Sequence, residues 1–225
     1  MHIEPGLVDG AKILLSYATA AGAGAYALQR AWTAMRKQGV VSLAVRATAS
    51  TALVLSFFEI LPHYPVGVSE VHLILGSTLF LIFGTAPAAL GLTLGLLLQG
   101  LLFARFDLPQ FGMNVTTLLV PLFALDVLAR RMISSRTAYV DLSYEQVLSL
   151  SLAYQGGTVA WVAFWALYGE GMSSANLAAI GIFGSAYLTV VLLEPVVDLL
   201  VLAGAKAARS LNGSRLVTPR LHSAA

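Results

Sequence analysis

The chain starts Met1-His2-Ile3-Glu4-Pro5-Gly6. A free N-terminus followed by histidine is a metal chelator. The Met1 α-amine, the His2 backbone amide and the His2 imidazole Nδ1 follow one another along the chain and can close two chelate rings in one plane. A second imidazole would complete a four-nitrogen square, a geometry that suits Cu(II) or Ni(II), with Co(II) held by similar ligands. An α-amine has a pKa of about 8, so it loses its proton cheaply near neutrality. The amide proton must be displaced by the metal, so capture should release protons and weaken in acid. The chelate requires that Met1 stay on, which the large neighbour His2 favours. Pro5-Gly6 offers a turn that directs the segment back onto the rest of the protein.

Four histidines are available: His2, His63, His72 and His222. His2 and His72 form the candidate pair. His72 lies in Ser69-Glu70-Val71-His72-Leu73-Ile74-Leu75-Gly76-Ser77, at the start of an apolar stretch, where a histidine also suits a purely interfacial role. His63, between Pro62 and Tyr64, reads as a loop residue, and His222 as part of an inert tail. Cysteine is absent, which excludes disulfides, thiolate sites and cysteine nucleophiles. No Ser-His-Asp or His-Glu-x-x-His grouping is visible and no phosphate-binding Gly-x-x-x-x-Gly-Lys-Ser/Thr occurs. The expectation is a protein that is neither an enzyme nor an ATPase.

The elements that position these residues are membrane spans. Of 225 residues, 58% are hydrophobic and 11% charged, and the mean hydropathy is +0.81. A soluble domain carries about 25% charged residues. Seven apolar stretches, 11–29, 41–61, 71–85, 88–104, 115–128, 146–167 and 177–204, predict an all-α polytopic fold with about seven transmembrane helices. A single membrane domain over 1–205 is expected, with a metal-binding segment 1–10 and a polar tail 206–225. No cleavable signal peptide is evident at the start.

Arg30, Arg36, Lys37, Arg130, Arg131, Arg136, Lys206, Arg209, Arg215 and Arg220 gather at one side, whereas 62–70 and 169–176 carry no Lys or Arg. The positive-inside rule then puts the N-terminus outside and the C-terminus in the cytoplasm. Glu4, Asp9, Glu59, Glu70, Asp107 and Glu170 fall near the outer face, where they raise the local cation concentration or stand as solvated loop charges. The sparse basic residues sit at span ends and give nucleic-acid binding no support. Small residues crowd the first stretch, with Thr19, Ala23 and Ala27 four apart, a face for close helix packing. Gly156-Gly157 suggests a kink or close contact in the sixth. Gln99, Asp126, Gln155, Glu194 and Asp198 are polar groups at membrane depth. Glu194 and Asp198 share a helix face, which suggests a cytoplasmic salt bridge or partner contact, or a proton relay.

Met1-His2-Ile3, His72-Leu73-x-x-Gly-Ser, Gly84 twelve residues after that histidine, Gln99 and Gly112-Met113-Asn114-Val115 resemble the CbiM/NikM family, the substrate-specific membrane components of cobalt and nickel energy-coupling-factor transporters. The resemblance is strongest over about the first 125 residues. It implies a seven-helix fold with the N-terminal segment inserted in the bundle, and a Co(II) or Ni(II) ion held by Met1, by His2 and by His72. Asn114 is implied beside the site, and Glu70 is placed there with it. Implied partners are a transmembrane coupling subunit, two ATPases and a small accessory membrane subunit, in a bacterial cell membrane, with the transported ion as cargo and no cofactor. The chain departs from the family pattern at Glu70-Val71, where Ser-Gly is frequent, and at Arg105-Phe106-Asp107-Leu108-Pro109, where Asp-Gly-Gly is frequent. Two alternatives stay open: a membrane scaffold that binds no metal, and a small-molecule permease built on Gln99, Gln155 or Glu194.

Overall fold

The computed structural model describes residues 2–134 and 136–207. Met1, a proposed ligand, and His222 lie outside them, as does the tail beyond 207. The described chain is mostly helical. The helices are α1 Ile13–Gln38, α2 Val40–Ile60, α3 Gly76–Phe83, α4 Thr85–Leu102, α5 Phe111–Met132, α6 Tyr144–Glu170 and α7 Ser174–Ala207. Five segments are long and apolar enough to cross a membrane: Val40–Ile60, Thr85–Leu102, Arg105–Met132, Tyr144–Glu170 and Ser174–Ala207.

Local chemistry explains the breaks. Gly39, at φ 85°, separates α1 from α2, and Gly84, at φ 88°, separates α3 from α4; both are conformations that a side chain disfavours. Ser143 starts α6 with a capping box: its hydroxyl accepts from the Gln146 N–H while the Gln146 side chain accepts from the Ser143 N–H. The Gly156-Gly157 pair leaves α6 continuous. Its use is contact: a Cβ on Gly157 would come within 3.1 Å of Pro121 Cβ.

The all-α expectation needs an amendment. Residues β1 Tyr64–Val66 and β2 Ser69–Val71 form an antiparallel hairpin. Gly67 makes the turn at φ 65° and presses so closely on α7 that a Cβ there would meet the Ala179 carbonyl at 2.3 Å. The third apolar stretch, read as a span over 71–85, holds only the eight-residue helix α3 before α4 begins at Thr85. At 1.5 Å per residue α3 covers about 12 Å, well short of the ~30 Å hydrocarbon layer. Hydropathy registers apolar chain without distinguishing strand, extended chain and helix.

Helix directions follow from close contacts. Gly91 meets Ser50 and Gly95 meets Val54, so α2 and α4 run parallel. Gly112 lies on Ser16, and Arg30 pairs with Asp126, so α1 and α5 also run parallel. Trp161 bonds Thr116 and Gln146 bonds the Met132 carbonyl, which makes α5 and α6 antiparallel. Asn176 bonds the Ala166 carbonyl and Tyr187 bonds Gln155, which makes α6 and α7 antiparallel. One end of the bundle therefore gathers the N-terminal segment, the hairpin, residues 105–110 and the α6–α7 turn. The other gathers Arg30, Arg46, Arg130 and Lys206.

Candidate metal centre

The N-terminal segment reaches the site by joining the hairpin as a third strand. Ile3 bridges Ser69. The Glu4 N–H donates to the Val68 carbonyl at 3.1 Å, and the His2 carbonyl accepts from the Glu70 N–H at 2.9 Å and from the Ser69 hydroxyl at 2.9 Å. Ile3 is fully buried against Val8, Met113 and Trp165, an apolar anchor one residue from the candidate ligand. The Ile3 N–H donates to Asn114 Oδ1 at 2.8 Å. Strand alternation then sets the side chains: Glu70 and His72 are two apart and share a face.

His2, Glu70 and His72 each offer a ligand atom, and the three atoms lie within 4.8 Å of one another. Metal bonds of about 2.0–2.2 Å bring bound donors within roughly 4 Å of each other, so sub-ångström movements would close the group on an ion. Both histidines are buried. His72 Nε2 faces Glu70 Oε2 at 2.7 Å. Burial lowers the His72 pKa to about 3 and outweighs the opposing pull of Glu70. Burial would raise the Glu70 pKa, but the hydrogen bond from His72 and nearby positive charge bring it down to about 2. Near neutrality His72 is thus uncharged and Glu70 ionised. A neutral His72 that donates from Nε2 keeps its lone pair on Nδ1. Nδ1 is buried and without a hydrogen-bond partner among the described residues, an expensive vacancy and a ready donor to a cation.

His2 is held from two further sides. Its Nδ1 lies 2.5 Å from Asp107 Oδ2 and its Nε2 lies 2.8 Å from Gln99 Oε1. A neutral ring donates from Nδ1 to the carboxylate and needs a donor at Nε2, which Gln99 supplies by turning its amide; a doubly protonated ring donates to both oxygens. In this arrangement Asp107 occupies the edge of His2 that the four-nitrogen chelate requires. Asp107 stood out in the sequence as one outer acidic residue among six and as part of the departure from the family pattern at 105–109. Its approach to His2 across 105 positions has no local signal. His63, read as a loop residue, is exposed in a loop but stacks on His72, with ring centroids 4.8 Å apart and planes 3° from parallel. His63 lies outside the group of three donors.

Beneath the site, α7 supplies two buried carboxylates. Glu194 accepts from the Ile74 N–H and from the Gln155 amide, and Tyr187 donates to Gln155 Oε1 at 2.8 Å. Asp198 accepts from the Ser77 hydroxyl at 2.6 Å and from the Thr78 hydroxyl. The expected cytoplasmic salt bridge is not formed among the described residues; Lys206 instead donates to the Leu142 carbonyl. The acids grip the first turn of α3, where unpaired N–H groups and the positive end of the helix favour negative charge. Just before it, Leu75 is held at φ 54°, the one non-glycine residue with positive φ among the described residues.

Residues 2–211 match the family described as CbiM, cobalt uptake substrate-specific transmembrane region. The chain belongs to the CbiM family. It is an integral membrane protein of transition-metal uptake. Two crystal structures share the fold. One, of a transition metal transporter, is 20% identical with a TM-score of 0.64 and covers 92% of this chain and 93% of that one. The other, of a truncated transition metal transporter, is 18% identical with a TM-score of 0.63 and covers 90% of this chain and 94% of that one. No curated protein matches the chain significantly.

Proposed function

We propose that this CbiM-family chain is the substrate-binding membrane component of an ATP-driven, energy-coupling-factor transporter, and that it takes Co(II) or Ni(II) from the outer side. The observation that carries this reading is the meeting of buried His2 and His72 with half-buried Glu70, where one imidazole nitrogen is unpaired among the described residues. Two imidazoles suit late first-row divalent metals. On capture, His2 Nδ1 exchanges Asp107 for the ion, the Met1 amine and His2 amide close the chelate, His72 completes it, and Glu70 balances charge beside it. Asn114 holds the N-terminal strand through Ile3. The cargo ion is the only metal, no cofactor is assigned, and the protein is not an enzyme.

Seven crossings are supported by helix direction. Parallel α2 and α4 require the chain to return between them; α3 is too short to do so alone, and in this reading the hairpin and residues 72–75 above it complete the crossing. The arginine-rich end then lies in the cytoplasm, the metal centre faces outward, and residues 1–205 form one membrane domain. No Walker-type phosphate-binding motif occurs in the sequence, and in this reading energy comes from a coupling subunit and two ATPases, with a small accessory membrane subunit beside them. Ala18, Ala21, Gly22 and Ala25 on the exposed side of α1 suit close packing by such a subunit. The decisive test is Ni(II) and Co(II) calorimetry on the purified chain, on His72→Ala, and on a form extended at its N-terminus by Gly-Ser. Binding by the wild type alone is expected. Undiminished binding by the extended form would remove the chelate, and absence of binding by the wild type would return the scaffold or permease reading.

A further inference from the structure

The opposite end of the bundle holds a second polar cavity, unrelated to the metal centre. It has a volume of about 180 Å³ and is lined by Arg30, Lys37, Arg46 and Arg130 together with Gly84 and Thr85. Among the described residues a single carboxylate meets these four cations, and it pairs with only two of them. Asp126 pairs with Arg30 at 3.2 Å and with Arg130 at 3.0 Å, and also accepts from the Thr85 hydroxyl at 2.7 Å. Arg46 is 1% exposed, yet it has no carboxylate partner among the described residues. Its guanidinium donates to the Phe83 carbonyl at 2.7 Å, to the Ser42 carbonyl at 3.2 Å and to the Gln38 side chain. Those contacts cap the C-terminal end of α3 and offset part of its charge. Lys37 has no such acceptor among the described residues. The N-terminus of α4 opens into the same space at Thr85 and adds its positive end.

Of the four cations only Arg46 is buried, and a buried charge without a counter-charge is costly; an anion in the cavity would offset that cost and meet the more exposed Arg30, Lys37 and Arg130 at its mouth. We infer that the cavity binds a phosphate group, presented by an anionic phospholipid of the inner leaflet. The orientation proposed above puts the cavity at that leaflet. Trp32, exposed on α1 beneath Arg36 at 5.4 Å, supplies an interfacial aromatic ring at the same level. The occupant bridges the α1–α2 elbow at Gly39 to the start of α4 and the end of α5, and so fastens the inner end of four helices. Inorganic phosphate has the same charged group and is the other possible source.

The test uses the full chain in a neutral detergent at fixed ionic strength, with thermal midpoint and native mass spectrometry as readouts. The probes are short-chain phosphatidylglycerol, short-chain phosphatidylcholine and inorganic phosphate. Phosphatidylglycerol should raise the midpoint and remain bound, with phosphatidylcholine doing neither. Stabilisation by inorganic phosphate at equal strength would make the free anion the ligand and overturn the lipid assignment. Lys37→Gln and Arg130→Gln should each weaken phosphatidylglycerol binding by about fivefold, the effect of one basic residue near an anionic surface. Arg36→Gln, outside the cavity, should leave it unchanged. Equal stabilisation by both lipids, an equal loss in Arg36→Gln, or no binding of any phosphate probe would overturn the site; in the last case an acidic segment of a partner subunit becomes its occupant. Lys37 is exposed, so its removal leaves the fold intact and the comparison readable.

Discussion

Two polar clusters draw on neighbouring parts of the chain, Glu70 and His72 in one and Ile74, Ser77 and Thr78 in the other, and they are built on opposite principles. The metal centre is open in its bonding: His72 Nδ1 has no partner among the described residues, and Glu70 and Asp107 each face an imidazole with oxygen lone pairs to spare. The α7 cluster is filled: Glu194 and Asp198 each accept from two donors. Both bury ionisable side chains, at a cost that must be offset. In the α7 cluster the protein's own donors offset it. In the metal centre a cation completes the set. The unmade bond at His72 leaves room for a ligand, whereas the bonded α7 network supports α3.

The largest effect expected from this contrast is His72→Ala. Removing a ligand should weaken Ni(II) or Co(II) binding by more than ~100-fold, beyond the usual range for groups that only orient ligands, while the folded fraction of the metal-free protein stays near that of the wild type. Calorimetry and a thermal melt on the same sample check both halves. A variant that binds as well as the wild type would reduce His72 to an interfacial residue.

Glu194→Ala should do the reverse. It leaves the Ile74 N–H and the Gln155 amide without their acceptor, at about 1–3 kcal/mol for each buried donor left unpaired. The thermal midpoint should fall clearly, and metal affinity per folded molecule should change much less than in His72→Ala. If Glu194→Ala abolishes binding without lowering the midpoint, α7 belongs to the site and the contrast fails.

These two clusters also differ in how far the sequence reveals them. The Met1-His2 chelate is legible because it is local chemistry at a chain end. Glu70 and His72 are two apart, and a strand turns that spacing into a shared face. Glu194 and Asp198 show their common face through helical spacing. Their partners at Ile74, Ser77 and Thr78 depend on the return of the chain between parallel helices, which no window of hydropathy contains. The hairpin went unread for a related reason: Val66-Gly67-Val68-Ser69 carries a turn signal, but it fell in the loop 62–70 between two apolar stretches, and strands of three residues each are too short to show an alternating pattern. Asp107 and Gln99 meet His2 only through tertiary packing.

Glu70→Gln probes the metal centre more finely. The amide oxygen still accepts from His72 Nε2, so the ring keeps its orientation, but the negative charge is lost. Metal affinity should fall by about tenfold, the lower range for a group supporting a ligand. A loss as large as that of His72→Ala would make Glu70 a ligand in its own right and turn the nitrogen square into a mixed nitrogen–oxygen site.

The smallest effect lies in the pH dependence of the metal-free protein. The His72 pKa falls from 6.5 to about 3, so below pH 6.5 the unfolded chain takes up a proton that the folded chain refuses until about pH 3. The unfolded state binds more protons, and stability falls as pH falls across that window. The Glu70 pKa falls from 4.5 to about 2. Its carboxylate stays ionised in the folded state while the unfolded chain protonates, so stability is lost again below pH 4.5. The two contributions have the same sign, and only that of His72 acts between pH 6.5 and 4.5. Thermal midpoints of His72→Ala should therefore decline less steeply than those of the wild type over that range. Parallel slopes in wild type and His72→Ala would mean that His72 takes up its proton in the folded state as readily as in the unfolded one. Metal capture would then have to displace that proton, and the orphan Nδ1 would lose its standing as a donor held ready for the ion.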